Sequence, residues 1–184
     1  MRQHIPNFVT GVRILLTPVI AFVIWQPQSA FLAALGLFLF IIASASDWLD
    51  GYLARQMNIV SPVGRMLDPI ADKLLIACAL LALAHVTAAG WLCMVPATII
   101  LIREFIISGL REFLAKRSFS APVTILAKWK TTAQILALGF LIGAPGFPNF
   151  PFAHEIGLTL LWIAAGMTVQ TGYGYVRGAI RHVA

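Results

Sequence analysis

The sequence predicts an all-α integral membrane protein that forms a single domain over residues 1–184, with six transmembrane helices and both termini in the cytoplasm. Three observations lead to this fold class. Hydrophobic residues make up 60% of the chain and charged residues 11%, against roughly 45 to 50% and 25% in soluble globular proteins. Long stretches carry no charge, and basic residues gather at every second turn between them. A water-soluble fold is excluded, because so few charged side chains cannot cover a core of this size.

The charge-free stretches define the helices. They cover residues 14–46, 74–102, 131–154 and 156–176, and each is long enough for a bilayer crossing of about 20 residues. The first two are too long for one crossing, and turn signals at residues 27–29 and 87–90 divide them. The predicted helices are therefore 8–25, 30–54, 66–86, 90–115, 124–143 and 155–177.

The basic residues predict the orientation. All 13 lie near the termini or around the connections after the second and fourth helices, and the three opposite turns have none. Positive charge is retained on the cytoplasmic side of a membrane, so the termini and these two connections are predicted to be cytoplasmic. The net charge of +6 indicates anionic lipid or phosphate as a partner. Nucleic acid is not expected, because the basic residues are not clustered with aromatic residues.

An acidic cluster is the main chemical feature of the sequence. Four of the seven acidic residues fall between positions 47 and 72, namely Asp47, Asp50, Asp68 and Asp72. The first two are three residues apart and the last two are four apart, so each pair shares one face of its helix. A short turn at residues 58–62 lets the two faces meet at the cytoplasmic surface.

Carboxylates brought this close repel one another unless positive charge lies between them. Ion pairs with Arg55, Arg65 and Lys73 are one way to supply it. Divalent cations are the other, and ligands that are all oxygen favour Mg²⁺ or Mn²⁺ over zinc. Two pairs of carboxylates suit two ions about 4 Å apart, an arrangement that supports phosphoryl transfer. A divalent-cation transporter is an alternative function, but it predicts carboxylates near the middle of the membrane rather than at one surface.

The segment SDWLDGYLARQMNIVSPVGRMLDPIADK, residues 46–73, resembles the signature of the CDP-alcohol phosphotransferases. Eight positions match at the signature's spacing: Asp47, Asp50, Gly51, Ala54, Arg55, Gly64, Asp68 and Asp72. The resemblance implies that the four aspartates hold two Mg²⁺ or Mn²⁺ ions, and that Asp72 also takes the proton from the acceptor hydroxyl. It further implies that a CDP-diacylglycerol donor contacts Thr10, Arg13, Gly51, Ala54, Arg55 and Ser61.

Three further segments look like the phosphatidylglycerophosphate synthase branch of this family. They are Asn7-x2-Thr10-x2-Arg13, IREFIISGLRE at residues 102–112 and KWKTTAQ at residues 128–134. This resemblance implies transfer of a phosphatidyl group to sn-glycerol 3-phosphate with release of CMP, in the bacterial cytoplasmic membrane, by a homodimer whose active site faces the cytoplasm. Related enzymes that use inositol phosphate, serine or a second phosphatidylglycerol as acceptor are alternatives. A neutral acceptor would leave the nearby basic residues without a role.

The acceptor phosphate is expected to bind basic residues at the same membrane surface. The hypothesis assigns it to Arg111, Lys128 and Lys130, with Arg103 more structural and paired to Glu104 or Glu112. The alternative is that these side chains extend to the surface and fix only the topology. Whether Ser120 or Thr124 assists is left open by the sequence.

Overall fold

The structure is a computed structural model. It describes the backbone at residues 5–26, 29–57, 62–115 and 125–183, and the side chains there except at residues 5–9, 47–57, 62–63, 65, 115, 179 and 181–183. The described residues form six α-helices and no β-strand: α1 Ile5–Trp25, α2 Ala30–Met57, α3 Pro62–Val86, α4 Trp91–Ala115, α5 Ile125–Gly143 and α6 Ala153–Val183. One turn of 3-10 helix, Ala144–Gly146, follows α5.

The six predicted helices are confirmed, with differences at some ends. Helix α3 begins at Pro62 rather than at residue 66, because proline fits the first turn of a helix, where its missing N–H is not needed. Helix α6 continues to Val183 rather than ending at residue 177. Arg177 is the last residue of the predicted helix and Arg181 lies in the extension, since charged side chains mark the edge of a membrane span without ending a helix.

Local chemistry explains two of the helix connections. The amide of Leu32 donates a hydrogen bond of 3.2 Å to the Ser29 hydroxyl, which caps the first turn of α2. Between α3 and α4, Gly90 has a φ of +52°, a left-handed conformation that suits glycine. The predicted turns at residues 27–29 and 87–90 therefore fall between helices, although residues 27 and 28 lie outside the described part of the chain.

The helices pack as a bundle in which α1 contacts α2 and α3, while α5 lies between α2 and α6. The shared core is apolar and includes Ile20, Phe40, Leu80, Ile100, Leu138 and Leu161. Two glycines let α5 approach its neighbours closely. A Cβ at Gly143 would lie 2.9 Å from Leu37 of α2, and a Cβ at Gly157 of α6 would lie 2.8 Å from Leu141.

Much of the bundle's outer surface is apolar, as expected of a protein in lipid. Leu15, Phe31 and Ile125 are each exposed over more than two thirds of their surface. In the described part of the chain, three helical segments are long and apolar enough to cross a membrane: Met66–Val86, Trp91–Leu114 and Ile125–Gly146. Shorter apolar helices cover Thr10–Trp25 and Ala30–Ser46. Cys78 and Cys93 are both free thiols in this apolar region, in keeping with a packing role.

Candidate active site

Helix α3 carries two of the four predicted metal ligands. Asp68 and Asp72 lie one turn apart near the start of α3, and both are exposed. Because four residues make about one helical turn, their carboxylates share one face. The Thr10 hydroxyl of α1 donates a hydrogen bond of 2.8 Å to Asp68 Oδ1. This contact joins α1 to the acidic face of α3.

The other two predicted ligands lie on α2. The backbone at Asp47 and Asp50 is helical, in the C-terminal half of Ala30–Met57, but their side chains are outside the described set, as are those of Gly51, Ala54 and Arg55. Ser61, Ser120 and Thr124 lie outside the described residues altogether. Among the side chains that the structure does describe, no three potential metal ligands come together. The quartet of aspartates therefore remains a prediction.

Arg13, one of the predicted donor contacts, is buried between helices. It is 2% exposed, and its Nε donates to the Ser46 hydroxyl of α2 at 3.4 Å. The Thr17 hydroxyl donates to the Arg13 carbonyl oxygen at 2.9 Å. Ser46 directly precedes Asp47, so Arg13 brings positive charge to the helix end that carries the α2 aspartates.

A cavity of about 690 Å³ opens beside the acidic face of α3. Asp72 and Lys73 of α3 form part of its wall. The other polar residues of its wall come from three further helices: Arg103, Glu104 and Arg111 of α4, Lys130, Thr131 and Gln134 of α5, and Gln170, Thr171 and Tyr175 of α6. The cavity thus joins the predicted base to three of the four predicted acceptor contacts.

Glu104 holds two of these cations in place. Arg103 Nη1 donates to Glu104 Oε1 at 3.0 Å, and Lys130 Nζ donates to the same oxygen. Arg103 Nη2 also donates to the Thr171 hydroxyl at 2.9 Å, and its aliphatic stem packs on Gly172, where a Cβ would lie 3.1 Å from Arg103 Cγ. Of the two partners that the sequence offered for Arg103, the structure has Glu104.

This cluster keeps a positive surplus, because one carboxylate faces two cations. Lys130 is 6% exposed although it lines the cavity, so its ammonium group is held at the wall rather than extended into solvent. A desolvated cation at a cavity wall attracts an anion more strongly than one in water. The cluster is therefore suited to bind a phosphate.

Arg111 is held by α6. Its Nε donates to the Tyr175 hydroxyl at 3.0 Å, and its guanidinium carbon lies 5.4 Å from the centre of the Tyr175 ring. Both contacts restrict the orientation of an exposed arginine at the rim of the cavity. A fixed guanidinium is a strong partner for a phosphate, because its donors match two phosphate oxygens.

Lys128 is placed differently from the other predicted acceptor contacts. It is exposed, and it is not among the residues that line the cavity. Lys128 and Lys130 are two residues apart on α5, which turns their side chains about 200° from each other around the helix. The structure brings Arg103, Arg111 and Lys130 together and leaves Lys128 on another face.

Seven polar residues of the cavity wall were not predicted as part of the site, and three of them show why. Gln134 could have been found from spacing, since it follows Lys130 by four residues and so shares its face of α5. The sequence indicates Glu104 only as a partner of Arg103, since its contact with Lys130 depends on how α4 packs against α5. Tyr175 gave no sequence signal, because its contact with Arg111 joins residues 64 positions apart.

Comparison with known proteins agrees with this chemistry. The sequence model of the family described as CDP-alcohol phosphatidyltransferase matches residues 3–170. A protein of Rickettsia bellii is 42% identical over 182 residues, covering 98% of this chain and 97% of its own length. Proteins of Pseudomonas fluorescens and Haemophilus influenzae are 40% and 38% identical over 185 and 183 residues, covering 98% and 97% of this chain and 92% and 95% of their own lengths. All three are named CDP-diacylglycerol--glycerol-3-phosphate 3-phosphatidyltransferase.

Proposed function

This chain belongs to the CDP-alcohol phosphatidyltransferase family, and on that premise we propose that it transfers a phosphatidyl group from CDP-diacylglycerol to sn-glycerol 3-phosphate. The products are phosphatidylglycerophosphate and CMP. Relatives about 40% identical over nearly the whole chain have the name of this enzyme, and the sequence segments around Thr10, Arg103 and Lys128 favour the same branch of the family.

The observation that carries the proposal is the composition of the cavity wall. Asp72 lies on one side, and Lys130, Arg103 and Arg111 lie on the others. The acceptor needs both kinds of group, since its hydroxyl must lose a proton and its phosphate must be neutralised. A serine acceptor, which has no phosphate, would use the carboxylate but would leave the positive surplus of the cavity wall without a partner.

Metal binding belongs to this proposal. The described carboxylates fit a hard cation, because Asp68 and Asp72 present oxygen ligands on one helical face. Asp47, Asp50, Asp68 and Asp72 would together hold two Mg²⁺ or Mn²⁺ ions, which supply charge neutralisation for the diphosphate of the donor.

The donor would lie along the α2 side of the site. Gly51 and Ala54 are small enough for the nucleotide to approach the α2 backbone, and Arg55 would neutralise diphosphate charge that leaves with CMP. Thr10, Arg13 and Ser61 are proposed to support this end. Thr10 and Arg13 would act through their contacts with Asp68 and Ser46, since both side chains are nearly fully buried.

In the reaction, Asp72 takes the proton from the acceptor's primary hydroxyl. The oxygen then attacks the phosphorus that carries diacylglycerol, the bond from that phosphorus to the bridging oxygen breaks, and CMP leaves. Phosphoryl-group chemistry of this kind depends on alignment and charge neutralisation more than on covalent help from the protein. The cavity supplies alignment by fixing the acceptor phosphate at Lys130 and Arg111.

The cellular setting follows from the same proposal. The protein lies in the bacterial cytoplasmic membrane as a homodimer, with six crossings and the cavity open to the cytoplasm. The bias of basic residues toward one side supports this orientation. A lipid-soluble donor and a water-soluble acceptor can then meet at the inner membrane surface.

An assay of the purified protein tests the proposal. Labelled glycerol 3-phosphate and CDP-diacylglycerol are supplied with and without Mg²⁺, and serine or inositol phosphate is added as a competing acceptor. We expect labelled phosphatidylglycerophosphate and an equal amount of CMP, with little competition. Preferential transfer to serine or inositol phosphate would assign the chain to another branch of the family, and no transfer to any acceptor would contradict the proposed reaction.

A further inference from the structure

The wall of the cavity contains an amide group that has no role in the proposed reaction. Gln134 lines the cavity and is 3% exposed. Its Nε2 has no hydrogen-bond partner among the residues that the structure describes. Buried polar groups are nearly always paired, so an amide nitrogen without a protein partner in a cavity wall is suited to donate to a bound ligand.

Gln134 lies directly below the proposed phosphate site. It follows Lys130 by one helical turn on the same face of α5, and the next residues on that face, Ala137 and Leu138, belong to the apolar core. Gln134 is therefore the last polar group of α5 before the core begins. A ligand whose phosphate contacts Lys130 would bring its carbon chain past this amide.

Two other buried polar atoms also lack partners in the described part of this region, but neither is open to such a ligand. Arg103 Nε is covered by α6, since a Cβ at Gly172 would lie 3.4 Å from it. The Thr168 hydroxyl belongs to a residue that does not line the cavity. Gln134 is thus the buried donor of the described cavity wall that has no protein partner and is open to a ligand.

We propose that the Gln134 amide donates a hydrogen bond to the secondary hydroxyl of the acceptor and so selects glycerol 3-phosphate over phosphates that lack this group. The assignment rests on the proposed function. Glycerol 3-phosphate has three polar groups: its phosphate is matched by Lys130 and Arg111, and its primary hydroxyl by Asp72. The secondary hydroxyl lies between them and needs a partner, and the Gln134 amide is a buried donor in the wall without a protein partner.

A hydrogen bond from Gln134 to the secondary hydroxyl would make the site specific for acceptors that carry this group. A site that hydrogen-bonds a substrate hydroxyl rejects an analogue without it, because the protein's own polar group is then left buried and unpaired. 3-Hydroxypropyl phosphate is this analogue, since it keeps the phosphate and the primary hydroxyl and lacks the secondary one. The two acceptors have the same charge and nearly the same size. They differ only in the secondary hydroxyl, which we assign to Gln134.

The test compares both acceptors with the wild-type protein and with Gln134→Leu, which removes the amide while keeping a similar volume. For the wild-type protein we expect kcat/KM to be about tenfold higher with glycerol 3-phosphate than with 3-hydroxypropyl phosphate, which is the effect expected of one buried hydrogen bond. In Gln134→Leu this preference should fall to about twofold or less. The KM for CDP-diacylglycerol should be nearly unchanged.

Leu138→Ala is the matched control. It perturbs the same face of α5 one turn deeper, in the core and outside the cavity wall, so it should lower stability while keeping the tenfold preference. A preference that persists in Gln134→Leu would overturn the assignment and would indicate a water molecule or a structural role at this amide.

If Gln134→Leu does not fold, the comparison of the two acceptors with the wild-type protein still tests the proposal. Equal kcat/KM for the two acceptors in the wild-type protein would overturn it. Failure of the proposed function has a different signature, because the wild-type protein would then transfer to neither acceptor.

Discussion

Lys130 of α5 and Arg103 of α4 share one acceptor atom, Oε1 of Glu104. The arrangement orients two cations toward the cavity with a single carboxylate. Glu104 lies one fifth exposed, and Lys130 is less exposed still. Removing the carboxylate would therefore leave two partly buried cations to repel each other.

Replacing Glu104 by Gln should destabilise the protein by about 2 to 3 kcal/mol, since breaking a buried ion pair leaves an uncompensated charge. Chemical unfolding in detergent, followed by loss of helical circular dichroism, measures this change. Glu155→Gln is the control, because Glu155 is exposed at the first turn of α6, and its effect should stay below about 0.5 kcal/mol. Equal destabilisation by the two changes would show that the contact with Glu104 contributes little.

Lys130 and Lys128 should differ in their effect on the acceptor. Lys130→Ala removes a charge at the cavity wall and should raise KM for glycerol 3-phosphate about tenfold or more, as expected for a charge-assisted hydrogen bond. Lys128→Ala should raise it by less than about threefold, because the exposed side chain lies away from the cavity and acts only through screened attraction. Steady-state kinetics with each substrate varied in turn gives both values. A larger rise in this KM from Lys128→Ala than from Lys130→Ala would support the prediction from sequence that Lys128 contacts the acceptor phosphate.

Asp72→Asn should lower kcat by about 10² to 10⁴, the usual contribution of a general base. The amide keeps the size of the side chain but cannot accept the proton. Retention of a folded, membrane-inserted protein is checked by its elution from a sizing column in detergent. Turnover near the wild-type rate would remove Asp72 from the proposed reaction.

Metal removal should abolish transfer. Treatment with EDTA followed by dialysis should give an inactive protein, and Mg²⁺ or Mn²⁺ should restore activity better than Zn²⁺, because the proposed ligands are all carboxylate oxygens. Asp50→Asn tests the same site from the protein side, through the metal concentration needed for half-maximal activity. Full activity of that variant at low Mg²⁺ would contradict the two-ion proposal.

The sequence predicted the helices well because each boundary has a local cause. Charge-free stretches gave the spans, and Ser29 and Gly90 mark the connections before α2 and α4 through a cap and a left-handed turn. Pro62 shows the limit of such reasoning. The sequence places Pro62 in a bend, but proline also fits the first turn of a helix, and α3 begins there.

The cavity was predicted only in part, because its contacts join residues far apart in the chain. Lys130 and Glu104 are separated by 26 positions, and Arg111 and Tyr175 by 64. Sequence identified the charged members of these pairs, yet could not tell Lys130 from Lys128, since the distinction depends on which face of α5 turns toward α4 and α6. Residue type indicates a phosphate site, while helix packing decides which cations form it.

The two close glycine contacts of α5 also affect the cavity at a distance. Gly143 ends the helix that carries Lys130 near its start, about 20 Å away along the axis. Gly143 packs against Leu37 and Gly157 packs against Leu141, and a Cβ added at Gly157 would lie 3.1 Å from the backbone nitrogen of Leu141, so it would displace the far end of α5. The packing of small residues at one end of α5 would thus influence where the Lys130 ammonium group lies at the other end.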